Sequence, residues 1–359
     1  MKITIVSDAA VTGQGDASVA AANLIRSMKA RGHEVVVLCP DEDKAGKEGY
    51  IKVSRQEKGS AQNEAMESAI WDSDVVHIML PGAIGRAAIK LCVRHNIPVT
   101  AGFYLLAESL TSRVRLDNPL ANSLAYRYLY NSFYRYADAI QYPNELIRDV
   151  FEKAIGRKTN GFIIPDGVDE RFKPNGAVKP YEFRNRFVIL YAAPFSREKS
   201  HSVLIDAVAM SKHNGGIQLI FAGEGKMKSA LRERSERLAN KPVFAAIPHS
   251  RMVNVMNYAD LYVHPAEAEI ESIACMEALA CGCVPIVADS PRSAVRRFAL
   301  DERNLFGNLD PVDLAEKIDY FIDYPEAVEE YRERYQGIVA AFSREACMDS
   351  MEEMLSTVR

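Results

Sequence analysis

Along the first hundred residues, short apolar β-branched runs alternate with stretches whose apolar residues recur every three to four positions. Residues 3–6 read as a strand. Residues 16–31 read as a helix, with Ala20, Leu24, Ile25 and Met28 on one face and Gly32 as its stop. Residues 34–38 and 75–80 read as strands, followed by a helix at 84–95 and a strand at 98–100. This β-α-β alternation predicts a parallel sheet covered by helices.

The pattern restarts at 187–191. A helix is expected at 202–212, a strand at 218–222, a helix at 227–238 and a strand at 242–244. A helix at 250–258, a strand at 261–264, a helix at 272–281 and a strand at 284–288 complete the series. Two such series predict an α/β protein with two Rossmann-like domains, joined near 171–186, where Pro174, Gly176 and Pro180 fall. The expected division is 1–172, 173–335 and a charged helical tail at 336–359, a candidate to pack back on the first domain. Ligands are expected in a cleft at the carboxyl ends of the strands.

The length of 359 residues suits two domains, and 48% hydrophobic residues suffice for two cores. A net charge of −4 gives no global basic field for nucleic acid. None of the six cysteines forms a CxxC pair, so buried free thiols in a cytoplasmic protein are expected rather than zinc or disulfides. The N-terminus reads as a strand rather than a signal peptide, and no run of 18 apolar residues suggests a membrane span.

The most informative stretch, residues 264–286, reads strand, acidic loop, helix, tight turn, strand. Ser272 is placed to cap the helix. The free amides and positive dipole end there form a seat for a diphosphate. Glu269 precedes the helix and Glu277 lies within it, so one carboxylate can face a sugar and the other ribose hydroxyls. Taken alone, two glutamates read first as a solvated acidic loop. Their setting, Glu269-x7-Glu277-Ala-Leu-Ala-Cys-Gly-x-x-Pro-Ile, resembles the signature of glycosyltransferase family 4, retaining enzymes of the GT-B fold. Further likenesses come in the family's order: Arg31-Gly32-His33-Glu34-Val35, Ile164-Pro165-Asp166-Gly167-Val168-Asp169, Ser196-Arg197-Glu198-Lys199 and Ala222-Gly223-Glu224-Gly225. Within the family, the chain looks most like bacterial diacylglycerol glucosyltransferases.

The resemblance implies GT-B architecture, with two Rossmann-like domains facing a central cleft. It also implies transfer of a hexose from a UDP-sugar to a lipid or saccharide hydroxyl, without metal or cofactor. Lys199 would meet the donor phosphates and the backbone of Ser272 and Ile273 would hold the diphosphate. Glu269 would contact the sugar, Glu277 the ribose, and the base would lie at 246–249, with Ile247 among the donor-binding residues. Gly13 and Gly15 would let backbone approach the donor. The spacing of Gly13-x-Gly15-x-x-Ser18 from its strand disfavours a dinucleotide site.

Three positions depart from the family pattern. Tyr104 stands where a sugar-contacting histidine is usual and is carried into the catalytic set with Glu269 and Lys199. Ala193-Pro194 replaces a phosphate-binding Gly-Arg, for which Arg197 or Arg86 is a candidate substitute. Asp166 replaces an asparagine. These departures keep open a GDP-mannose-dependent mannosyltransferase and a non-catalytic nucleotide- or partner-binding GT-B protein. Residues 113–136 join Arg113, Arg115, Arg127 and Arg135 to six aromatics. They read either as an anionic-membrane surface, as in a peripheral glycolipid enzyme, or as an interior helix.

Overall fold

A computed structural model describes residues 1–11, 16–40, 48–53, 60–105, 107 and 118–359. They divide into two compact units, Met1–Asp166 with Cys347–Arg359, and Gly167–Ala346.

In the first unit the chain runs β1 (Lys2–Val6), α1 (Asp16–Ala30), β2 (Glu34–Cys39), β3 (Tyr50–Lys52), α2 (Ser60–Trp71), β4 (Val75–Ile78), α3 (Ala83–His95), β5 (Val99–Gly102), α4 (Pro119–Ser132), β6 (Ala139–Tyr142), α5 (Glu145–Ile155) and β7 (Gly161–Ile163). The strands pair in parallel in the order β3-β2-β1-β4-β5-β6-β7. Strands β4, β5 and β6 are buried at every position, as expected of strands inside a parallel sheet, with His77, Thr100 and Gln141 as their buried polar residues. Gly32 adopts φ +82 after α1, as its stop position requires. Asn118 and Asn144 cap α4 and α5 by accepting the amides of Ala121 and Ile147 at 3.0 and 3.1 Å.

The second unit repeats the plan with β8 (Phe187–Ala192), α6 (His201–Met210), β9 (Ile217–Ala222), α7 (Lys228–Arg234), β10 (Val243–Ala245), α8 (His249–Tyr258), β11 (Leu261–His264), α9 (Ile273–Ala280), β12 (Val284–Asp289), β13 (Leu305–Gly307), α10 (Pro311–Asp323) and α11 (Pro325–Val339). Its parallel order is β10-β9-β8-β11-β12-β13. A last helix, α12 (Arg344–Thr357), carries the chain back to the first unit.

The expected elements stand within two residues of these bounds, except that 227–238 is the short α7 followed by a 3-10 turn at Ser235–Arg237. The domain boundary falls earlier than 172. Val168 and Phe172 are buried in the second core, and Val168 is bonded through its amide to Phe342 and through its carbonyl to Arg344. The tail divides near 346 rather than 335. Tyr331 and Tyr335 of α11 are buried in the second core, whereas Cys347, Met348, Met351, Met354 and Leu355 are buried in the first. All six cysteines are buried thiols outside any disulfide. Among the described residues, no helix is long and apolar enough to cross a membrane.

Candidate active site

In the second sheet β8 lies between β9 and β11, so the chain leaves β8 toward one edge and β11 begins the other half. Loops after two such strands diverge and leave a crevice at the carboxyl edge. Lys199 ends the 3-10 turn Arg197–Lys199 after β8, and Glu269 lies in the loop after β11. Their side chains meet across this switch point, Lys199 Nζ to Glu269 Oε2 at 2.6 Å, with only 15% and 9% of each exposed. The Lys199 carbonyl accepts the Tyr191 hydroxyl at 2.9 Å. Glu269 is held through its own backbone: its amide donates to the Arg292 carbonyl at 3.1 Å and its carbonyl accepts from Ala294 at 2.9 Å. His264, the last residue of β11, places Nε2 3.3 Å from the same Glu269 oxygen. Burial raises the Glu269 pKa, but the Lys199 ammonium and His264 outweigh it and bring it down to about 2. Burial lowers that of His264. Glu269 is therefore an anion, His264 a neutral ring, and the pair one cation and one carboxylate.

Beside this pair begins α9. Ser272 caps it in the left-handed region, φ 65, an unfavourable conformation for a non-glycine residue that clusters at functional sites. Its hydroxyl accepts from Cys275 at 3.3 Å, and its carbonyl accepts from Cys275 and Met276. The first-turn amides of Ile273 and Ala274 have no acceptor among the described residues. They carry the positive end of the helix dipole at a half-buried surface. The corresponding helix of the first unit is different. There the buried Asp8, just after β1, accepts the amides of Ile84 and Gly85 of α3, each at 2.9 Å. A Cβ on Gly82 would lie 2.3 Å from that carboxylate. The first unit thus fills its switch-point helix with its own anion, and the second leaves the seat open.

In the second turn of α9, the buried Glu277 accepts from His249 Nε2 at 2.7 Å. Burial raises the Glu277 pKa against the pull of His249. The bond to Glu277 raises that of His249. His249 also lies 4.8 Å, ring to ring, from Phe172. Ile247, in the loop after β10, packs against the second core. The Gly223-Glu224-Gly225 turn after β9 supports the Lys199 loop from behind. A Cβ on Gly223 would sit 2.1 Å from the Ala193 carbonyl, and one on Gly225 2.4 Å from that of Phe195.

The structure thus brings Lys199, Glu269, Ser272 and Ile273 to one edge, with Ile247 and Glu277 on elements of the same unit. Arg197 is exposed beside Lys199. Arg86 belongs to the first unit, where it donates to the Pro81 carbonyl and lies over the Tyr128 ring. Tyr104 is also in the first unit, and its hydroxyl donates to Asp166 at 2.7 Å. Gly13 and Gly15 lie outside the described residues, as do Arg113 and Arg115. In the described part of 113–136, Tyr126, Phe133 and Tyr134 are buried in an aromatic cluster with Phe103 and Phe151. Leu120, Leu124 and Tyr128 face out. Sequence reasoning placed the base at 246–249 without a role for the His249 ring, whose partner Glu277 lies on α9, and gave no role to His264, five residues before its partner Glu269.

Two family models match the chain. The one described as Glycosyltransferase Family 4 matches residues 17–172, and the one described as Glycosyl transferases group 1 matches residues 177–337. Among curated proteins none matches the sequence. Among solved structures, Anabaena HepE in complex with UDP-glucose aligns with a TM-score of 0.80 at 16% identity, over 99% of this chain and 100% of that one. Sucrose-phosphate synthase from Thermosynechococcus elongatus aligns with a TM-score of 0.76 at 17% identity, over 99% and 98%. WaaG, a glycosyltransferase involved in lipopolysaccharide biosynthesis, aligns at 0.72 and 14% identity, over 98% and 99%. At these identities the likeness carries the fold. With the two family matches and two parallel Rossmann-like sheets shared end to end with such structures, the chain belongs to the GT-B glycosyltransferases, of the family 4 type.

Proposed function

We propose that the protein transfers a hexose from a UDP-sugar to a lipid or saccharide hydroxyl, with retention at the anomeric carbon and without a metal. One observation carries the reading: the buried Lys199–Glu269 pair stands beside the open first turn of α9. Lys199 and the amides of Ile273 and Ala274 supply positive charge and donors for a diphosphate, which is where negative charge grows as the glycosyl bond breaks. Glu269 supplies acceptors for sugar hydroxyls, and Glu277 for the ribose. UDP is favoured over GDP by the shared fold with HepE, which was crystallised with UDP-glucose. A lipid acceptor is supported by α4, whose outward face carries Leu120, Leu124 and Tyr128, 72%, 57% and 61% exposed at one-turn spacing.

Labelled UDP-glucose, UDP-galactose and UDP-N-acetylglucosamine, offered with diacylglycerol vesicles and with oligosaccharides, test the reading. It expects label in a product from one of these donors, with the donor's α configuration by NMR. A β-linked product, or incorporation only from GDP-mannose, would overturn it.

A further inference from the structure

Resting on that reading, we infer that Glu269 is a stand-in anion that holds Lys199 when no sugar is present and so selects sugar-loaded donor over free UDP. The two groups compete for one cation. Lys199 Nζ is held by Glu269 Oε2 at 2.6 Å, both side chains nearly withdrawn from water. A diphosphate seated on the amides of Ile273 and Ala274 draws on the same ammonium. The stem of Glu269 is fixed beside Lys199, because its backbone is bridged to Ser293 and bonded on both sides to Arg292 and Ala294. His264, neutral and buried at the strand end, backs the carboxylate at 3.3 Å and is no substitute counter-ion.

Free UDP therefore leaves a buried carboxylate that has lost part of its partner and faces a phosphate of like charge. Both effects are unfavourable in a desolvated site. A sugar on the diphosphate changes the balance, because its hydroxyls donate to the carboxylate and satisfy it. When the sugar leaves, the balance reverts, and Glu269 recaptures Lys199 and disfavours retention of UDP. Glu269 thus acts on specificity and product release as well as on the sugar.

Calorimetry with UDP and with UDP-glucose on the full-length chain tests this. Glu269→Gln removes the competing charge but keeps the shape. It should bind UDP about tenfold more tightly or better, while its advantage for UDP-glucose over UDP shrinks or inverts. In the double variant Glu269→Gln with Lys199→Met, the gain should vanish, because the freed ammonium is its source. UDP affinity in Glu269→Gln equal to or below that of the unaltered protein would overturn the inference. If Glu269→Gln does not fold, Glu269→Asp, which retracts the carboxylate by one methylene, should give a smaller gain in the same direction, and no gain would overturn it too. If the unaltered protein binds neither UDP nor UDP-glucose, the donor reading itself fails and this inference falls with it, a result distinct from UDP binding that is indifferent to Glu269.

Discussion

The hydroxyl of Tyr104 donates to Asp166 at 2.7 Å, so two of the positions that depart from the family 4 pattern are partners. The same oxygen lies 3.3 Å from Gln141 Oε1. A phenol has one hydrogen, and the shorter, charged acceptor takes it. Tyr104→Phe removes a donor from a buried carboxylate and should destabilise the first unit by about 1–3 kcal/mol. Asp166→Asn, which keeps the acceptor, should cost less. Denaturant unfolding of both variants checks the order, and equal costs would count against this bond as the reason.

The Lys199 loop is backed by glycine. A methyl group at Gly223 meets the Ala193 carbonyl at 2.1 Å, a backbone atom that cannot rotate away. Gly223→Ala should destabilise the second unit by about 1–3 kcal/mol. It should also weaken nucleotide binding by shifting the loop that presents Lys199. A variant with unchanged stability and unchanged UDP affinity would show that the loop does not need this close approach.

How far the site was legible follows from where its partners lie in the chain. Glu269, Ser272 and Glu277 sit within one loop and helix, so a single local motif and its resemblance to the family 4 signature picked them out, and Ser272 caps α9 as its position suggests. The Lys199–Glu269 contact joins residues 70 apart and depends on β8 and β11 being neighbours, which no local pattern states. The repeating strand-helix series at 3–100 and 187–288 was readable, whereas α2, α5 and β6 were not read, nor were the three-residue β3, β7 and β13, which have too few positions for a period. The boundary at 167 was missed because Pro174 and Gly176 mark a turn, while burial of Val168 and Phe172 decides which core owns the segment.

Acid should destabilise the protein through its buried histidines. His77 and His201 have pKa values lowered by burial from 6.5 to about 3, and that of His264 is lowered as well. Between pH 6.5 and 3 the unfolded chain takes up protons that the folded chain refuses. Stability from these groups is thus complete above 6.5 and is lost as pH falls, by about 1.4 kcal/mol per pH unit per histidine. His77→Gln should reduce the slope of unfolding free energy between pH 6 and 4.5 by about that amount. An unchanged slope would contradict the assignment.

Glu277 and His249 should set the acid limit of donor binding. A ribose contact requires the Glu277 carboxylate as acceptor. Burial raises its pKa and His249 opposes that rise. His249→Ala removes the opposing group, so the Glu277 pKa should climb further and UDP affinity should fail at a higher pH than in the unaltered protein. Calorimetric titrations across pH 5 to 8 measure the midpoint, and a midpoint that stays put or moves down would remove Glu277 from the ribose.

The central claim, a UDP-sugar donor site built on Lys199 and the start of α9, is tested most directly by thermal shift with UDP and GDP. A ligand bound only by the folded state raises the melting temperature. The account predicts a rise with UDP that exceeds the rise with GDP, is lost in Lys199→Ala and is largely kept in Arg197→Ala. No rise with UDP at millimolar concentration, or a rise that Lys199→Ala leaves intact, would contradict it.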